Sequence, residues 1–147
     1  MRKVRNKHIG VYGIIIKKDK IVLISKARGG YTGKLDLPGG GMEHNELPVE
    51  TLKREIMEEA GLNVISYQLL DVTATNITWQ MTKKVVEDLH HIGILYRVVA
   101  KGCIKKDPDG IDSNGANWYE IGKLKKKDLT PFTIYALEKK GYKVMNN

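Results

Sequence analysis

The sequence predicts an α+β fold in a single domain covering residues 1–147, and three observations predict it. Residues 8–17, 20–26 and 89–101 are runs rich in Val and Ile, the composition of strands that pack on a core. From Val49 the apolar residues Val49, Leu52, Ile56 and Ala60 recur at steps of three and four, the period of one face of a helix. Thr130-Pro131 then opens a second helix, with Thr as its N-cap and Pro at the first helical position. A chain of 147 residues is long enough to bury roughly 68–70% of its unfolded surface without staples.

Taken in order, residues 8–17 and 20–26 are expected to form a hairpin about Lys18-Asp19. Residues 27–34, with Gly29, Gly30 and Gly33, read as a loop, and Leu35-Asp36-Leu37 as a short extended segment. Pro38-Gly39-Gly40-Gly41 reads as a sharp turn that can offer backbone amides and oxygens. The helix that follows ends at Gly61, which can adopt the left-handed conformation that stops a helix, with Leu62 folding back. Residues 63–74 alternate well enough for a strand, with Val64, Tyr67, Leu69 and Leu70 as core candidates. Residues 75–88, holding Trp79 and Met81, read as an irregular loop. Residues 89–101 read as a buried strand whose neighbours His90 and His91 point to opposite faces and cannot serve one site. Residues 105–115 read as a turn-rich loop, 117–121 as a short strand, and Phe132, Ile134, Tyr135 and Leu137 as the apolar face of the last helix.

The chemistry concentrates on the first helix. At about 100° per residue, Glu55, Glu58 and Glu59 share one side, away from the apolar stripe. Three carboxylates in a cleft repel one another by roughly 3 kcal/mol per pair near 6 Å at an effective dielectric of about 20, so they call for a cation. Oxygen-only ligands suit a hard divalent ion, Mg²⁺ or Mn²⁺, and a backbone carbonyl of Gly39 or Gly40 could complete its shell.

Written as spacing, Gly40, five residues, Glu46, seven residues, Arg54-Glu55-Ile56, one residue, Glu58-Glu59, one residue, Gly61-Leu62 resembles the signature of the Nudix hydrolases with every fixed position filled. Seven specified residues would coincide by chance on the order of once in 10⁹ windows. The resemblance implies an α/β/α sandwich with a mixed central sheet, and metal-dependent hydrolysis of a nucleoside diphosphate linked to another group. Glu55, Glu58 and Glu59 would then hold the metal with Gly39 or Gly40. Glu55 or Glu58 would be the general base, and Arg54 would orient a catalytic glutamate. Some relatives carry a further carboxylate where Asp112 stands, six residues before Trp118. Arg28 and Lys34, just before the box, are candidates for the substrate phosphates, and Trp79 for stacking on a base. The marker Pro or Tyr of relatives acting on ADP-ribose or dinucleoside polyphosphates is missing, since Asn76 and Ile77 stand there. A binding-only sensor on the same fold is the competing reading, but such proteins show broken boxes.

Charge supports a polyanionic small-molecule substrate. Residues 36–59 hold seven acids against Lys53 and Arg54, a local balance of −5 inside a chain of net charge +8, so the rest carries +13. The scattered lysines argue against nucleic acid as a partner, and the sequence leaves a homodimer open. The single Cys103 has no disulfide or zinc-ligand partner spacing, no run reaches the ~20 apolar residues of a membrane span, and Lys17-Lys18-Asp19-Lys20 stands where a signal peptide needs small residues. A cytoplasmic protein is the expectation.

Overall fold

The computed structural model describes residues 1–104 and 113–147. Its strands and helices are β1 (Arg2–Ile14), β2 (Ile16–Lys17), β3 (Lys20–Lys26), β4 (Leu35–Asp36), β5 (Gly39–Gly41), α1 (Pro48–Ala60), β6 (Asn63–Gln80), β7 (Val85–Lys101), β8 (Ser113–Glu120) and α2 (Pro131–Lys139). One sheet has the order β5-β1-β7-β6, with β1 and β7 parallel and the other neighbours antiparallel. In the second, β3 is the centre, pairing β2, β4 and β8. The expected α+β architecture with a mixed sheet is what the chain forms.

The chain passes between sheets at Ile15, whose carbonyl accepts the Val22 amide at 3.0 Å. The expected hairpin is therefore present only as its tip, Ile16-Lys17 against Lys20-Ile21. The rest of that apolar run belongs to β1, which begins at Arg2 and pairs β7 residue for residue from Arg2↔Val85 to Ile14↔Arg97. The basic start of the chain carries no strand pattern; parallel pairing with a distant segment makes it a strand.

Two cores sandwich the first sheet. Val11, Ile15, Leu52, Ile56, Ala60 and Val98 cluster on the α1 side, and Tyr12, Ile14, Leu95, Phe132, Ala136 and Leu137 on the α2 side. Alternation along β1 sends odd residues to one core and even residues to the other. In α1 the stripe behaves as expected, with Leu52, Ile56 and Ala60 fully buried, each large side chain worth roughly 1.5–3 kcal/mol. Gly61 closes the helix at φ 71°, its amide bonding the Met57 carbonyl at 3.0 Å.

Four expectations are corrected. Residues 75–88 are no loop: β6 and β7 run as a hairpin whose turn is residues 81–84, with the Met81 amide on the Val85 carbonyl at 2.9 Å. Thr75, Ile77 and Trp79 face one side and Asn76, Thr78 and Gln80 the other, but a turn without Gly, Asn or Asp hides the hairpin in sequence. Tyr67 and Leu69 are not core residues; they are 45% and 54% exposed on the edge strand β6, where only the Lys53 side chain of α1 reaches over the Tyr67 ring, at 5.6 Å. The triple glycine is a strand, β5, rather than a turn. Thr130 does stand before α2, yet its hydroxyl donates to Asp36 at 2.6 Å instead of capping the helix, tying α2 to β4.

Candidate active site

The site is assembled where α1 lies along β5. Each glycine of β5 faces a different functional group. The Gly39 amide donates to Glu59 Oε1 at 2.8 Å, a side chain on Gly40 would meet Glu55 Oε1 at 2.8 Å, and the Gly41 carbonyl accepts Arg54 Nη2 at 3.1 Å. At Gly39, φ is 152° and a Cβ would run into the Val11 carbonyl, so only glycine lets this strand lie between β1 and the helix.

Arg54 is the organising cation. Its Nε and Nη2 grip Glu46 at 2.7 and 2.9 Å, while Nη1 donates to Glu55 Oε1 at 2.9 Å and Glu58 Oε2 at 3.3 Å. Glu46 also accepts the Thr51 hydroxyl at 2.6 Å and the Glu43 amide at 3.0 Å. With Arg54 first among these donors, its carboxyl is pulled down to about 2. The sequence expectation for Arg54 centred on glutamates within the helix; its main partner is Glu46, eight residues earlier. Glu46 was legible as a fixed position of the spaced signature, but its role needs the fold.

Glu55 and Glu59 meet each other. Burial is the main cause that raises both carboxyls above the ordinary range, most for Glu59, which is 5% exposed and shares a hydrogen bond with Glu55. Glu59 was expected on a polar face and is instead in the wall between helix and strand. Glu58 stays in solvent with its side chain 55% exposed. Among the described residues no three His, Cys, Asp or Glu side chains converge as a finished coordination sphere. The donor set nonetheless fits a hard divalent ion: burial raises two hydrogen-bonded carboxyls that a cation would stabilise in their charged form, and Glu58 shares Arg54 Nη1 with Glu55.

Beyond Gly41 the first sheet presents an aromatic patch. Buried His91 is held between the Tyr12 hydroxyl at 2.7 Å and the Tyr31 hydroxyl at 3.4 Å, and the exposed His8 ring lies 5.3 Å from it. Burial, then His8 and Lys26, lower the His91 pKa to about 4, so the ring is neutral. His90 points to the opposite face, as expected from alternation. Lys26 acts electrostatically on His8, His91, Asp36 and Glu59, so its charge is felt by both the patch and the carboxylates. No motif in the sequence singles out Lys26, because its position at the end of β3 is a product of sheet pairing.

The other candidates are placed as follows. Arg28 is exposed on the loop before β4. Lys34 turns to the α2 flank, donating to the Lys127 carbonyl at 3.2 Å. Trp79 is half-buried on β6, its Nε1 donating to Glu87 Oε1 at 2.7 Å with Gly30 packed over the ring. Asp112 lies outside the described residues.

Known proteins share parts of this chain. It is 34% identical over 76 residues to an RNA pyrophosphohydrolase of Saccharophagus degradans, covering 52% of this chain and 45% of the relative. It is 41% identical over 59 residues to an 8-oxo-dGTP diphosphatase of Buchnera aphidicola, 40% and 45% of the two chains, and 44% identical over 54 residues to an ADP-ribose pyrophosphatase of Methanocaldococcus jannaschii, 37% and 32%. The matches thus span less than half of these relatives. Among solved structures, a MutT NUDIX hydrolase from Burkholderia pseudomallei superposes with a TM-score of 0.70 at 24% identity, over 91% of this chain and 98% of that one. The NUDIX domain of Shewanella oneidensis NrtR, solved with ADP ribose, gives 0.62 at 13% identity, over 92% and 86%. The model of the NUDIX domain matches residues 6–139, from within β1 to the last residue of α2, and the chain belongs to that family.

Proposed function

We propose that the chain is a hydrolase that cleaves a phosphoanhydride bond in a nucleoside diphosphate linked to another group, using Mg²⁺ or Mn²⁺. The observation that carries this reading is the pairing of Glu55 with Glu59 against the glycine strand, where two carboxyls are driven together out of water. A divalent ion held by Glu55, Glu58, Glu59 and a Gly39 or Gly40 carbonyl would neutralise the diphosphate and acidify the attacking water. The chain's own groups supply the rest. Arg54, gripped by Glu46, holds Glu55 and Glu58 in place, and one of these two takes the proton from water. We assign Lys26 and Arg28 to the substrate phosphates, Trp79 to the base and Asp112 to the metal, the last by its spacing to Trp118. Lys34, engaged at Lys127, reaches a phosphate only by leaving that carbonyl.

The names of the relatives set the substrate panel, 8-oxo-dGTP, ADP-ribose and RNA, alongside nucleotide sugars. Release of phosphate or pyrophosphate is measured with magnesium and again in excess chelator. Turnover of at least one compound that stops with chelator is the expected result. Full turnover in chelator, or binding without turnover across the panel, overturns it, the latter in favour of a nucleotide sensor.

A further inference from the structure

A second site lies where β1 ends, at the register position that pairs Ile14 with Arg97. A cleft of about 480 Å³ is lined by Ile14, Ser66, Gln68, Arg97, Val99 and Lys140, among others. Register explains why they meet: Arg97 stands beside Ile14 on one neighbour and Gln68 on the other, and α2 ends above them at Lys140. Bulges between Val64 and Ser66 and between Leu69 and Asp71 bracket this stretch of β6, which re-aims its side chains.

Two cations share this cleft without a counter-charge. Among the described residues neither Arg97 nor Lys140 has an ion-pair partner, and no acid lines the cleft. Asp71, three residues beyond Gln68 on β6, is taken by the Tyr135 hydroxyl and by Lys139 Nζ at 3.5 Å. The Lys140 ammonium is held below its usual range by burial first and by Arg97 second. Sharing Ile16, Val98 and Val99, a second cleft continues to Lys17 and Trp118, and a third joins these two to Lys18 and Lys20. None is lined by Asp or Glu. Asp19, in the same hairpin tip, accepts the Tyr142 hydroxyl at 3.5 Å.

We propose that this trough is a second, metal-independent binding site for a phosphate-bearing small molecule, its phosphate oxygens bridging the Arg97 guanidinium and the Lys140 ammonium. The guanidinium fork matches two oxygens at once, the ammonium takes a third, and the Ser66 hydroxyl and Gln68 amide supply neutral donors. Inorganic phosphate and the phosphate of a mononucleotide share this chemistry. The trough toward Trp118 accommodates the larger ligand.

The test is calorimetric titration of the full chain with inorganic phosphate and, separately, AMP, both in excess chelator so that the carboxylate site is without metal. Binding of either is expected, weakened about tenfold or more in the Arg97→Gln, Lys140→Gln double variant and partly restored by Arg97→Lys with Lys140 intact. Lys143→Gln, a control outside the trough, leaves the affinity unchanged. Equal affinities for the two ligands assign the phosphate group alone; tighter AMP that phosphate displaces assigns a nucleotide, and both support the site. Absence of binding at millimolar ligand, or unchanged affinity in a double variant whose circular dichroism is native, overturns it. Because turnover is not read, failure of the hydrolase proposal leaves this result standing, and the reverse holds too.

Discussion

At the scale of single residues, the carboxylates of α1 divide by environment. Glu58 is solvated and Glu59 is walled in against the Gly39 amide, so removing their charges should separate chemistry from stability. Glu58→Gln and Glu59→Gln should each lower turnover by roughly a hundredfold, with the fold intact. The Glu59→Gln change keeps an acceptor for the Gly39 amide and removes a buried acid, so the melting temperature in chelator should hold or rise. Unchanged turnover in both variants would remove these residues from the metal site. His91 gives a pH signature. Its pKa is lowered in the folded chain from 6.5 to about 4, so the unfolded chain binds the proton more readily between those values. Stability should therefore fall as pH drops through that window, by roughly 3 kcal/mol at most, and level off for this group below it. Urea unfolding at stepped pH reads the slope, and His91→Gln should flatten it in the part of the window above the carboxylate range. Glu46, lowered to about 2 chiefly by Arg54, contributes stability above its ordinary value of 4.5 that is lost at more acid pH, a separate window.

At the scale of elements, β5 and α1 form one unit. Their two glycine substitutions should fail in different ways. Gly39→Ala drives a Cβ into the backbone carbonyl of Val11 at φ 152° and should destabilise the chain by ~2 kcal/mol or more. Gly40→Ala meets only the flexible end of Glu55, which can swing aside. That variant should melt near the parent temperature and lose turnover. If both variants fold and turn over like the parent, β5 does not position the carboxylates. The β6–β7 hairpin makes a different point about elements. Its residues 75–80, Thr-Asn-Ile-Thr-Trp-Gln, have strand propensity and alternation, but a strand of 18 residues followed by one of 17 is about three times the usual length. Pairing of β7 with both β1 and β6 holds the outer half together where local signals would end it.

At the scale of the whole molecule, charge is segregated: −5 within residues 36–59 and +13 elsewhere. Carboxylates can concentrate a cation while the surrounding field draws in a polyphosphate. For a substrate found in the panel, kcat/KM should fall several-fold as ionic strength rises past the point where the Debye length is about 10 Å, through KM rather than kcat. A flat profile would mean that the basic excess serves only the protein's own hydration. None of the helices is long and apolar enough to cross a membrane, among the described residues.

The family, the glycine-bounded helix and the presence of Glu55, Glu58 and Glu59 on it were legible in the linear chain. Those features are local: a 3.6-residue period, a left-handed glycine and fixed spacings within one segment can be read without knowing what packs against it. Which partner each side chain takes was settled only by folding. Arg54 turns to Glu46, Glu59 goes under Gly39, and Thr130 turns from capping α2 to binding Asp36. Residues Arg2 to Lys7 became a strand only because Val85 to His90 lie alongside, and Arg97 met Lys140 only because β7 and the end of α2 converge. Such contacts join residues far apart in the chain, where pairing and burial outweigh local propensity and leave no periodic trace in the sequence.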